Sequence, residues 1–193
     1  MKKLLFAALA LSLIGAGCSS STTVTYKTYR NSACGISFEY PSDWAATEDT
    51  KLDGVTLVSP ETTKALTAAA RSNNGNGVEI PYNSDFITHC WSKYADYAKD
   101  SGYTAVKVTS LASLMAYLTA NPGTQEATVN GQVMVDGQPA TALTFGGLGS
   151  SYDIVLEHNG QIYDLYFPND SQDTATKLSA AGAHILSSFK FAK

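Results

Sequence analysis

The chain predicts an α+β fold, an antiparallel sheet flanked by helices on both faces, from three observations. Strand-like runs cluster at 35–40, 55–58 and 152–167. Capped segments with helical periodicity lie between them and at the end. The turn signals of the last third, Asn159-Gly160 above all, are those of hairpins. Hairpins join antiparallel strands, and helices among such strands give α+β rather than a parallel α/β sheet.

The first strand is Gly35-Ile-Ser-Phe-Glu-Tyr40, stopped by Pro41 and followed by Trp44. Val55 to Val58 form a second. Ser59-Pro60-Glu61 opens a helix: a Ser oxygen accepts from the free amides of the first turn, and Pro at the first helical position forfeits no bond. The helix runs to about Arg71 and ends at the Asn/Gly cluster 73–77. Val78 to Tyr82 read as extended, with Pro81 placing them at an edge. From Phe86 to Asp100, the spacing of Ile87, Cys90, Trp91, Tyr94 and Ala98 predicts a helix. Tyr103 to Val108 read as a short strand.

Ser110 caps a short helix with the stripe Leu111, Leu114, Met115 and Leu118, broken by Asn121-Pro122-Gly123. Asn130-Gly131, Asp136-Gly137 and Asn159-Gly160 predict the turns of a meander. A two-residue turn at Asn159-Gly160 sets His158 against Gln161 and Tyr152 against Phe167. That register puts Tyr152, Ile154, Leu156, Tyr163, Leu165 and Phe167 on one face, the expected core. Asp153, Glu157 and Asp164 fall on the other, which reads as a wet surface or as one beneath a polar helix. After Pro168, Asp170 and Asp173 stand at capping-box spacing before a helix bearing Leu178, Ala181 and Ile185. Phe189 and Phe191 close the chain.

The N-terminus carries its own signal. Lys2 and Lys3 precede the apolar run Leu4 to Ile14, then Gly15-Ala16-Gly17 and Cys18. Leu4 to Gly17 is 14 residues, against about 20 for a spanning helix. The segment resembles a bacterial lipoprotein signal peptide, with Gly15 where such signals usually carry Leu. The resemblance implies cleavage before Cys18, acylation of its sulfur and a lipid-anchored place in the bacterial cell envelope. Because Ser19 is not the retaining Asp, it implies the outer membrane in a Gram-negative host, and the outer face of the cell membrane in a Gram-positive one. Residues 1–17 are then the leader, 18–32 the lipidated Cys with a Ser/Thr-rich tether, and 33–193 one domain.

Of 193 residues, removal of 17 leaves 176, enough for one sizeable core. Loss of Lys2 and Lys3 leaves 11 basic against 17 acidic residues, with no basic run, which disfavours nucleic-acid binding. With Cys18 lipidated, Cys34 and Cys90 remain. In an oxidising compartment they can form a disulfide closing 56 residues; the other reading is two unrelated buried thiols.

The segments "GISFEYPSDW", "SLASLMAYL" and "YDIVLEHNGQIYDLYFPN…ILSSFKF" resemble PsbP-like domains over about residues 35–191. That family includes a photosystem II extrinsic protein, a nuclear Ran-binding import factor and many bacterial lipoproteins. The resemblance implies a central antiparallel sheet with helices on both faces, used as an adaptor.

Chemistry is sparse. His89, His158 and His184 stand in unrelated segments, and no metal-ligand or nucleophile motif accompanies them. Gly146-Gly147-Leu148-Gly149-Ser150 precedes a strand, whereas phosphate loops precede a helix. Asp153 lies diagonally across from Asp164, a placement that can seat a hard cation, but no ligand set completes it. These readings predict a non-enzymatic protein-binding or assembly module, with no cofactor and no metal. Its partners are the membrane, through the lipid, and an envelope protein touching Tyr40, Tyr82 and Tyr166. The alternative is a small-ligand carrier or a hydrolase with a site dispersed along the chain.

Overall fold

The computed structural model describes residues 23–72, 84–101, 107–120, 127–146, 150–169 and 178–192. The expected extended segment at 78–82, most of 103–108, and Asp170 with Asp173 lie outside them.

Among the described residues ten strands form two antiparallel sheets. The smaller has β1 (Tyr26–Asn31), β2 (Ile36–Pro41) and β10 (Lys190–Phe191), with β2 in the middle. The larger has seven strands in the order β3-β4-β5-β9-β8-β7-β6. They are β3 (Ala45–Asp49), β4 (Gly54–Val58), β5 (Phe86–Trp91), β6 (Ala127–Val135), β7 (Gln138–Phe145), β8 (Ser150–His158) and β9 (Gln161–Asn169). The helices are α1 (Pro60–Ser72), α2 (Tyr94–Asp100), α3 (Leu111–Ala120) and α4 (Ala180–Ser188).

Each face of the large sheet covers its own core. On one face Phe86, Ile154, Leu156, Leu165 and Phe167 meet Phe38 of the small sheet and Ile185 of α4. On the other, Leu143, Phe145, Val155 and Ile162 meet Tyr94, Tyr97 and Ala98 of α2 and Leu114 and Leu118 of α3. Helices thus flank the large sheet on both faces, and on one of them a second sheet shares the cover.

Local chemistry sets several boundaries where expected. The Ser59 hydroxyl accepts from the Thr62 amide at 3.1 Å, with Pro60 as the first helical residue. The Ser110 hydroxyl accepts from the Ser113 amide at 3.1 Å. At Asn159-Gly160 φ is +51° and +76°, and at Asp136-Gly137 it is +47° and +77°, the paired positive values of a type I′ turn. The β8–β9 register runs from His158 opposite Gln161 to Tyr152 opposite Phe167, as the turn dictates.

Four expectations are corrected. Residues 86–91 form a strand, and helix α2 begins only at Tyr94. Tyr26–Asn31, within the expected tether, is strand β1; its one buried residue, Tyr29, is too faint an alternation to read. Asn130-Gly131 makes no turn: the ladder slips between Val129 and Gly131, a bulge that Gly131 allows with φ +115°. Helix α4 is capped by Ser179, whose hydroxyl accepts from the Gly182 amide at 3.0 Å.

Candidate functional site

The face of the large sheet beneath α2 and α3 holds the molecule's most perturbed chemistry. In register, Leu143 of β7, Asp153 of β8, Tyr166 of β9 and Ile87 of β5 form one row. Thr141, Val155, Asp164 and His89 form the next. Asp153 and Asp164 are therefore diagonal neighbours on one face.

This face is not wet. Val155 and Ile162 share it, and α2 and α3 cover it. Asp153 is only 5% exposed, and Oδ1 of each aspartate is buried without a hydrogen-bond partner. Burial pushes the Asp164 carboxyl up to about 7, against the opposing pull of the Tyr97 hydroxyl, which donates to its Oδ2 at 3.4 Å. Burial, and then the Asp164 charge, hold the Asp153 carboxyl well above the usual range; a Ser151 hydrogen bond pulls the other way. Among the described residues no group of three or more His, Cys, Asp and Glu is placed to hold a metal ion.

Helix α2 is tied down by further aromatic–carboxylate bonds. Tyr94 donates through its hydroxyl to Glu157 Oε2 at 2.8 Å. Trp91, just before the helix, donates from Nε1 to Asp100 Oδ2 at 2.9 Å. On its outer side α2 walls a polar cleft of about 350 Å3, to which it gives Asp96, Lys99 and Asp100. Lys51 and Asp53 face these from the β3–β4 turn, with Cys90, Trp91 and Gln161 also in the lining.

Cys34 and Cys90 are joined, with Cα atoms 5.8 Å apart. The bond ties the turn between β1 and β2 to β5, linking the two sheets. Beside it, the Tyr163 hydroxyl of β9 donates to the Cys34 carbonyl at 2.8 Å.

The expected tyrosine contacts do not come together. Tyr40 is 6% exposed and belongs to the core, so it is withdrawn as a contact; residue 40 alternates inward with Phe38 on β2. Tyr166 is half-buried on the face beneath α2. Tyr82 and Cys18 lie outside the described residues, as does most of the Gly146–Ser150 segment.

The histidines are dispersed. His89 is half-buried beside Gly54, and burial lowers its basicity despite Asp49 Oδ2 at 3.7 Å. His158 stacks on Phe191, with ring centroids 4.2 Å apart. His184 stacks on Tyr26 at 3.6 Å and lies 3.1 Å from Glu39 Oε2. A signal for the buried aspartates was present in the chain: Val155 and Ile162, on the same face, mark it as covered.

The edges of the large sheet differ. β3 is five residues long and carries Glu48 and Asp49. β6 is nine residues long, carries no charge, and exposes Val129 and Met134. Among the described residues its outer edge pairs with no strand.

No protein-family model and no curated protein sequence matches the chain. Among solved structures it is similar to cyanobacterial PsbP (CyanoP) from Synechocystis sp. PCC 6803, with a TM-score of 0.49 and 14% identity over 90% of this chain and 96% of that one. It is also similar to a structure from Bacteroides thetaiotaomicron VPI-5482, with a TM-score of 0.45 and 15% identity over 86% of this chain and 48% of that one. A third is the Saccharomyces cerevisiae Ran-binding protein Mog1p, at 0.41 and 10%, over 88% and 96%.

Proposed function

We propose that the protein is an exported, lipid-anchored module that binds an envelope protein, and that its work is assembly rather than catalysis. The leader of residues 1–17, followed directly by Cys18, supports the anchor. The Cys34–Cys90 bond supports an oxidising compartment.

The observation that carries the binding reading is β6. A long, uncharged edge strand presents a row of backbone donors and acceptors; proteins blunt such edges with charge, brevity or a bulge, and β6, bulged between Val129 and Gly131, has neither the charge nor the brevity of β3. Left open, the edge is a template for strand addition by a partner.

The test uses the anchored full-length protein with a photo-crosslinking residue at Met134, and in a second version at Ala46 of β3. The expected result is a discrete adduct with one envelope protein from position 134 and not from 46. It should be lost in Val129→Lys with an otherwise unchanged fold. Equal labelling from both edges would overturn the edge as interface. Turnover on an ester, phosphate, peptide or glycoside substrate, abolished by one Ser, His or Asp substitution, would overturn the module in favour of an enzyme.

A further inference from the structure

Helix α2 stands between two polar places. Its outer side walls the cleft with Asp96, Lys99 and Asp100, and its inner side sets Tyr97 on Asp164. We propose that α2 is a proton-controlled cover, closed on the sheet while Asp153 and Asp164 hold protons and lifted when the pair ionises, so that the cleft changes shape with pH.

The geometry carries this in three steps. First, the pair sits in a layer with little to receive a charge. On α2, Tyr94 and Tyr97 face the sheet, with Tyr94 bound to Glu157 of β8. From β5 comes His89, opposite Asp164, which burial keeps neutral and whose charged neighbours are Asp49 and Asp100. From β9 comes Tyr166, opposite Asp153, and from β7 the apolar Leu143. Helix α3, LASLMAYLTA, brings no charge. Apart from His89, no cation faces the carboxylates from these elements.

Second, an anion here finds few donors. Tyr97 serves Asp164 and Ser151 serves Asp153, while each Oδ1 stays unpartnered. A buried charge so poorly solvated either keeps its proton or draws in water. Burial places the Asp164 change near neutrality, at about 7, and raises the Asp153 carboxyl well above its ordinary range. Third, the element that yields most easily is α2. It has seven residues, too few to persist alone, whereas β8 and β9 are paired on both sides within the sheet.

The test reads the intact folded protein. Carbon-13 NMR of aspartate side chains should show a carboxyl titrating within about a unit of pH 7, accompanied by shifts of the amides of 94–100. If every aspartate titrates below pH 5, the proposal is overturned. Hydrogen exchange, corrected for its intrinsic pH dependence, should show protection of α2 falling at least tenfold between pH 6 and pH 8.5, with β8 and β9 unchanged. Equal protection at both pH values would overturn it.

The double variant Asp153→Asn with Asp164→Asn should hold the protection of α2 constant across that range. Should that variant not fold, Tyr97→Phe serves instead. Losing a hydroxyl that favours the ionised carboxylate, it should move the change to higher pH. Movement to lower pH would count against the cover.

Discussion

Gly54 shows how closely the sheet is built. A Cβ there would stand 2.0 Å from His89 Cδ2 and 2.4 Å from the Thr88 carbonyl oxygen. The imidazole can turn aside, but the carbonyl belongs to a strand paired on both sides, so the backbone must shift. Gly54→Ala should therefore destabilise the fold by about 3 kcal/mol or more, read from urea unfolding. Adding His89→Ala should restore only part of the loss, because the carbonyl clash remains. Nothing in the chain announces this residue: a lone Gly before Val55 reads as a turn. Leu165 is the opposite case, placed correctly in the core by alternation alone and fully buried. The same alternation put Asp153 and Asp164 on the second face correctly. Val155 and Ile162 mark that face as covered, but which helices cover it, α2 and α3, no local pattern encodes.

Among elements, those with a local chemical signature were readable. Ser59-Pro60, Ser110 and Asn159-Gly160 set helix starts and a hairpin through contacts a few residues apart. The segment 86–91 was not, because its apolar residues fit two periods. Phe86, Thr88 and Cys90 alternate as a strand, while Ile87, Cys90, Trp91 and Tyr94 recur as a helix; pairing with β4 and β9 decides for the strand. At Asn130-Gly131 a turn dipeptide serves a bulge, since β6 and β7 pair on both sides of it.

The cross-link through β5 has a measurable worth. It closes 56 residues and joins the two sheets, so its loss frees the unfolded chain most. The double variant Cys34→Ser with Cys90→Ser should lose about 2–4 kcal/mol, and reductant should lower the stability of wild type by a similar amount while leaving the variant unchanged. Both thiols of the native protein should resist alkylation until reductant is added.

At the scale of the molecule, the buried carboxylates make stability depend on pH in an unusual direction. Asp164 titrates at about 7 in the fold, against about 3.9 in an unfolded chain. Below pH 4 it is protonated in both states, and its contribution is fully present. As pH rises from 4 to 7 the unfolded chain gives up the proton first, and stability falls, by at most about 4 kcal/mol from this group. Asp153, raised first by burial and then by the Asp164 charge, adds a fall of the same sign.

Two influences run the other way. His89, whose basicity burial lowers, favours the fold above the ordinary histidine range and withdraws that support as pH falls. Asp49 and Asp136, held below the ordinary carboxylate range by hydrogen bonds, stabilise only above about pH 4. Asp49 and Asp136 therefore set the acid limit. Two acids, each with a buried and unpartnered carboxyl oxygen, outweigh one half-buried imidazole above it. The urea midpoint should be highest near pH 4–5 and decline toward pH 8. Asp164→Asn should flatten most of that decline, because an amide of the same shape has no proton to lose. A midpoint that rises from pH 5 to pH 8 in wild type would mean that the carboxylates are reached by solvent in the folded state, and that α2 does not seal them.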